Sequence, residues 1–349
     1  MNSPRILAID IGSGTQDILL WDPSVAPENC PKMILPSPTT IIAQKVREAT
    51  AKGYDIFLTG KTMGGGPSTR AVKNHLRAGY RVFSLRHPAL TFNDDLDKVQ
   101  AMGVQVVEDR PTASSLVEIN MADLDIDAIM DVFRRFQVAQ PHIIAVAVQD
   151  HGFSPNESNR AVRFRQWQKL LESERRLEEM LFQDPPWHLT RMKAVVETVP
   201  GTWVMDTGIA AILGAMKDPW VVERLEEGVA VVNIGNEHIL AALVKGNKVW
   251  GIYEHHTSLM DPSQLSDHLK RFRRGELTNH EIWKERGHGC KTLDRVKDAG
   301  AFPYTAITGP RRGEFEALDG RRAAPFGDMM LTGCFGLVEA VTWNLSQKT

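Results

Sequence analysis

Asp10, Gly12, Ser13, Gly14, Thr15 and Gln16 lie between two apolar runs, residues 6–9 and 18–21. Gly12 and Gly14 free the backbone for positive φ in a turn, so its N–H groups can converge on an anion. Ser13, Thr15 and Gln16 add side-chain donors, and Asp10, closing the first run, can hold a hydrated divalent cation beside phosphates. The segment therefore reads as a phosphate-holding β-hairpin, although an ordinary Gly-rich hairpin has the same pattern. A second strand–turn–strand segment, GVAVVNIGNEHILAALVKGNKVW, places Gly235 and Asn236 in its first turn, after Asn233. A third, FPYTAITGPRRGEF, ends a strand at Thr308, Gly309 and Pro310 and continues into Arg311 and Arg312. Guanidinium forks suit both adenine and phosphate.

Asp206 opens MDTGIAAILGAMKD, a strand end leading into a small-residue helix. A carboxylate there, beside a γ-phosphate, could deprotonate an acceptor hydroxyl; as the residue before a helical run it equally suits an N-cap. Of eleven histidines, His151 (QDHG), His238 (GNEH), His255 and His256 (EHHT) and His288 (GHG) sit beside glycines or acids. Neutral imidazoles with one carboxylate, Glu254 or Asp150, suit iron, zinc or manganese. His255, His256 and His288 are the expected transition-metal ligands; acid/base, phosphate-contacting and structural roles are the alternatives. The turn GKTMGGGPSTR lacks the first Walker glycine, since that position is Asp55. Gly64, Gly65 and Gly66, just before a helix start, could instead meet a ligand by backbone or serve only as a turn.

The order of the three glycine-turn segments resembles the actin-like ATPase superfamily, which includes sugar kinases, acetate kinases, large heat-shock chaperones and activators of radical enzymes. The resemblance implies an α/β fold of two ribonuclease-H-like domains with an interdomain nucleotide cleft. Its first phosphate loop would be residues 10–16, its second 233–238 and its adenosine loop 307–311. ATP and Mg2+ are the implied cofactors, with the cation held at Asp10 through water. Sugar kinases carry a catalytic aspartate where Asp206 stands, though here the spacing to Gly214 is one residue longer and Met205 replaces the preceding glycine. The second phosphate loop usually has an aspartate where this chain has Asn233.

More closely, TGKTMGGGP, VQDHGFSP, MDTGIAAILGA, NIGNEHILAALV, EHHT, GHG, TGPRR and GDMMLTGCFGL are similar to a family labelled as pyruvate formate-lyase activating proteins. Radical-SAM chemistry needs three cysteines at cluster spacing, and the chain has only Cys30, Cys290 and Cys334. The expected function is an ATP-binding phosphotransferase or ATPase acting on a small metabolite or a protein. The alternatives are a nucleotide-gated partner of a client enzyme and a His-metal group transferase. Partners are thus a nucleotide with a small-molecule acceptor or a client protein, and self-association as a homodimer stays open.

Around these residues the chain must build supporting sheets. At 349 residues and 42% hydrophobic it has enough for about two cores. A net charge of −2 argues against nucleic-acid binding, and its basic patches are flanked by acids. Three scattered cysteines favour a reducing compartment, and no apolar stretch reaches 18 residues. A cytoplasmic, soluble protein without membrane partners is expected. Apolar runs alternate with helical patterns up to residue 148, which predicts an α/β sheet. Residues 160–180 predict a charged helix, either a peripheral insertion or one near an interdomain face. Domains are expected at 1–200, with the first phosphate loop and this helix, and 201–349, with the other two loops.

Overall fold

The computed structural model describes residues 4–112, 115–298 and 302–347; the first three residues of the N-terminal segment lie outside these. The strands in chain order are β1 (Ile6–Ile11), β2 (Thr15–Trp21) and β3 (Lys32–Pro36), then β4 (Asp55–Gly60), β5 (Val82–Ser84), β6 (Val104–Val106) and β7 (Leu116–Met121). β8 (Ile143–Val148) and β9 (Trp203–Met205) follow, then β10 (Val229–Ile234), β11 (His238–Lys245), β12 (Lys248–His256), β13 (Gly289–Thr292), β14 (Tyr304–Thr308) and β15 (Arg321–Arg322).

They form three sheets. The first has the order β3-β2-β1-β8-β9 and the second β13-β12-β11-β10-β14-β15. In each, an antiparallel three-strand meander is followed by two parallel strands beside the meander's first strand. Apart from the added edge strand β13, one strand order is built twice. This duplication identifies two ribonuclease-H-like units, the arrangement of the actin-like ATPase fold. The central strands β1 and β10, ILAIDI and VAVVNI, are almost continuously buried, as strands covered on both faces must be.

The third sheet, β6-β5-β4-β7, is wholly parallel and is inserted between β3 and β8. It has its own core, in which Val46, Ile56, Leu58, Val72 and Val104 are buried. The alternation of strands and helices over residues 38–148 is therefore split between two sheets. Helices α1 (Pro38–Ala51) and α2 (Pro67–Arg77) pack against each other in this insert.

Three further helices join the two duplicated units. Helix α3 (Asn159–Glu172) buries Arg163, Phe164, Trp167, Leu170 and Leu171, so the charged segment is an interior helix that contacts β12 of the second sheet. The first sheet runs past residue 200 to β9, and α4 (Thr207–Ala215) then crosses to pack on β10. Helix α5 (Thr332–Ser346) makes the reverse crossing, from the end of the second unit onto β1 and β8. Both are apolar nearly all round, as buried helices are. They cross backbone to backbone: a Cβ at Gly336 would collide with the Ala210 carbonyl, and one at Gly214 with that of Thr332.

Alanine normally improves a helix interior relative to glycine by about 0.5–1 kcal/mol. Here the collision outweighs that gain, because the opposing atoms are backbone and cannot swing aside. Gly336→Ala is expected to destabilise the protein by about 1–3 kcal/mol, the usual scale of overpacking, in urea unfolding. Among the described residues no helix is long and apolar enough to cross a membrane.

Candidate functional site

A cleft of about 610 Å³ opens where the three bodies meet. Gly12, Ser13 and Thr15 from the first hairpin line it, with Gly235 and Asn236 from the second and Thr308, Gly309 and Pro310 from the end of β14. The three glycine-turn segments thus converge although up to about 300 residues separate them in the chain. They converge because β1 and β10 hold equivalent places in the two sheets, so their hairpin turns face one another. Gly309 has φ +101°, and a Cβ there would run into the Ile234 carbonyl. Gly14 lies against the other turn, where a Cβ would stand 2.6 Å from Asn236 Nδ2.

Asp10 also lines the cleft, with Thr207 Oγ1 donating to its Oδ1 over 2.5 Å. Burial pushes the Asp10 carboxyl up to about 7, against that hydrogen bond, and nearby Asp206 adds to the rise. Asp17 is its cross-strand partner in the hairpin. Burial, and next the Asp10 charge, push Asp17 up to about 8. Asp17 Oδ1 is buried with no hydrogen-bond partner in the protein. Two carboxyls raised towards neutrality beside a glycine turn could serve a divalent cation, which would relieve their mutual repulsion.

The remaining expected residues hold the walls. Gln16 is buried and donates through Nε2 to the Pro36 carbonyl at 3.0 Å. Arg311 donates to the Asn236 carbonyl at 3.2 Å and pairs with Glu314, tying the Thr308–Pro310 turn to the second hairpin. Asp206 caps α4 by accepting from the Gly208 N–H at 2.9 Å, and its other oxygen takes Arg163 Nη1 at 2.8 Å. Asp206 does not itself line the cleft, whereas its neighbours Thr207 and Gly208 and its partner Arg163 do.

Arg163 is an interior residue that the sequence reading passed over. Its guanidinium pairs with Asp206 and, at 2.7 Å, with Glu254, all three being buried. Trp167 Nε1 donates to the other Glu254 oxygen at 2.8 Å. Burial alone would raise Glu254, but Arg163 first and then His288 and His238 hold it well below the usual carboxylate range. The signal was present: Arg163 shares the apolar face of Trp167 and Leu170 at helical spacing, where a charge demands a partner.

The histidines divide between two faces of β12. His256 points into the cleft, as the cross-strand partner of His238. His255 points the other way, beside Tyr253 and His268. His288 is buried, its ring centroid 4.6 Å from that of His238 and 4.7 Å from that of His256. Burial pushes His288 down to about 3 and His256 to about 4. Across the cleft, Gly64, Gly65 and Gly66 with Arg70 and Lys73 of α2 form the opposite wall. A Cβ at Gly66 would stand 3.9 Å from that of Ser13, so this glycine turn faces the first hairpin directly.

Among solved structures, the chain is similar to ethanolamine utilization protein EutJ from Carboxydothermus hydrogenoformans at 11% identity and TM-score 0.34, covering 97% of this chain and 90% of that one. An exopolyphosphatase-like protein is similar at 9% identity and TM-score 0.32, covering 89% and 67%. A Ppx/GppA family member from Aquifex aeolicus gives 12% and 0.30, covering 88% and 66%. The fold assignment rests on the duplicated strand order, not on these distant likenesses. No curated protein matches the chain. The cysteines are buried in separate elements, Cys30 before β3, Cys290 in β13 and Cys334 in α5. The family described as "Putative pyruvate format-lyase activating enzyme (DUF1786)" matches residues 63–314. That match takes in the Gly64–Gly66 turn, Arg163, all the clustered histidines and two of the three cleft turns, and the chain belongs to this family.

Proposed function

We propose that the cleft binds a nucleoside triphosphate with Mg2+ and that the protein is an ATP-dependent phosphotransferase or ATPase. The observation that carries this reading is the meeting of three glycine turns around two under-partnered carboxyls, Asp10 and Asp17. Backbone N–H groups at Gly12, Ser13 and Gly235, with the Ser13 and Thr15 hydroxyls, would donate to phosphate oxygens, while Thr308–Pro310 would border the nucleoside. Asp10 and Asp17 would hold the cation, which supplies charge neutralisation at the phosphates. Thr207, hydrogen-bonded to Asp10, orients that carboxylate. The acceptor would approach from the Gly64–Gly66 wall, where Arg70 and Lys73 stand.

A second reading has a specific observation behind it. Asp206, the base expected in a kinase mechanism, is committed to Arg163 and to capping α4. That favours an ATPase whose cleft closure acts on a client enzyme over transfer to a small hydroxyl compound. The family's description names activation of another enzyme, and nucleotide-gated reshaping of a client would fit it without the cluster-spaced cysteines of radical chemistry.

Mg-ATP at 100 times its dissociation constant should stabilise the folded protein by about 2.7 kcal/mol, read as a rise in melting temperature of several degrees. No shift with any nucleoside triphosphate at millimolar concentration would sink the proposal. ATP turnover by the isolated protein separates phosphotransfer, which needs an acceptor, from hydrolysis, and a dependence of turnover on a client enzyme marks the gated reading.

A further inference from the structure

We propose that His151, His238 and His288 form a three-histidine site for a divalent first-row transition metal, at the inner end of the cleft. One ring nitrogen of each lies within 4.8 Å of the others. Each would move by less than about 1 Å to reach the 2.0–2.1 Å bonds typical of zinc and imidazole. The three come from separate parts of the fold: His151 follows β8 in the first unit, His238 opens β11 in the second, and His288 precedes β13. This trio differs from the sequence-based one, because His255 lies on the far face of β12.

Each ligand is held in place. His151 rides on a loop fixed by Asp150, whose carboxylate accepts from the backbone N–H groups of Gly152, Arg191 and Met192. His238 Nδ1 lies 3.0 Å from Glu254 Oε1 and 3.1 Å from the Gln149 side-chain amide; with the proton on Nδ1 serving the carboxylate, Nε2 keeps the lone pair for a metal. Glu254 is in turn fixed by Arg163 and Trp167. His288 is 1% exposed, and neither of its ring nitrogens has a hydrogen-bond partner in the protein. A buried imidazole ordinarily satisfies at least one nitrogen, so this ring is placed for a ligand of another kind.

Three neutral imidazoles backed by a carboxylate suit zinc, iron(II), cobalt or nickel better than the oxygen-seeking Mg2+ expected at Asp10. His151 and His238 line the cleft, so a fourth position would open towards its contents. Three protein ligands with one open position is the arrangement of catalytic, not structural, metal sites.

The test uses the full-length protein, stripped with chelator and titrated with Co2+ alone while visible absorption is followed. One cobalt per chain is expected. His151→Gln, His238→Gln and His288→Gln should each weaken binding at least about tenfold. His280→Gln, exposed on the helix Asn279–Lys284, should bind as the unaltered protein does. Should the buried His288 variant fail to fold, the partly exposed His151 and His238 carry the comparison. Absence of saturable cobalt binding, or folded variants that bind it undiminished, overturns the site. No nucleotide is present in this assay, so its failure leaves the Mg-ATP reading standing, and the reverse also holds.

Discussion

Arg163→Met is expected to destabilise the protein by about 3–5 kcal/mol in urea unfolding, the scale for removing one partner of a buried ion pair. Arg163 is the cation shared by Asp206 and Glu254, and all three side chains are almost wholly buried. Methionine of similar length fills the space but leaves two carboxylates without compensation. Asp206→Asn keeps the cap, since asparagine caps as well as aspartate, yet gives up one charge on Arg163. It should therefore lose stability as well as any turnover. A general-base role alone would instead cut turnover by about 100-fold or more with melting unchanged, and measuring both in one variant tells the two apart. A loss below about 1 kcal/mol in Arg163→Met would mean that the triad is not ionised as drawn.

Asp10→Asn should lower turnover at least about 100-fold, since it weakens cation binding beside the phosphates, yet leave the protein folded. Its stability should even improve at pH 8 in the presence of a chelator. The sign follows from the raised carboxyl: it titrates near 7 in the folded protein against 3.8 as its ordinary value. The folded state therefore prefers the protonated form. The resulting destabilisation is absent below about pH 4, grows between 4 and 7, and is complete above 7. Asparagine carries no charge and escapes it. If Asp10→Asn melts lower than the unaltered protein at pH 8 without metal, Asp10 is not held near neutrality.

Much of the site was legible because glycine turns at the ends of apolar runs are local signals. The first hairpin, its repeat and the Thr308–Pro310 turn were each readable from a dozen residues. The four-stranded insert was not, because β4, β5 and β6 are short apolar runs between helices, just as the flanking strands are, and periodicity does not say which sheet a run joins. The histidines show a different limit. His255 and His256 are neighbours on a strand, so side-chain alternation alone forbids both from facing one site. Which of them faces the cleft depends on the register of β11 and β12. That His151 joins them depends on β8 pairing with β1, 137 residues earlier in the chain.

The crossing of α4 and α5 sets how this molecule can open. Where Gly214 meets Gly336 the two backbones touch without side chains between them, so no interlocking ridges lock the helices at this point. A rotation of one unit on the other about this contact has no side chains to unlock at the crossing point. The crossing lies close to Asp10: Gly333, one helical turn before Gly336, packs directly on its carboxylate. A turn of a few degrees there would hardly displace Asp10, while it would act on the contact between Arg70 of the insert and Glu237 of the second unit, 3.7 Å apart. The gap between the insert and the second unit could thus widen or narrow while Asp10 and Asp17 stay in register.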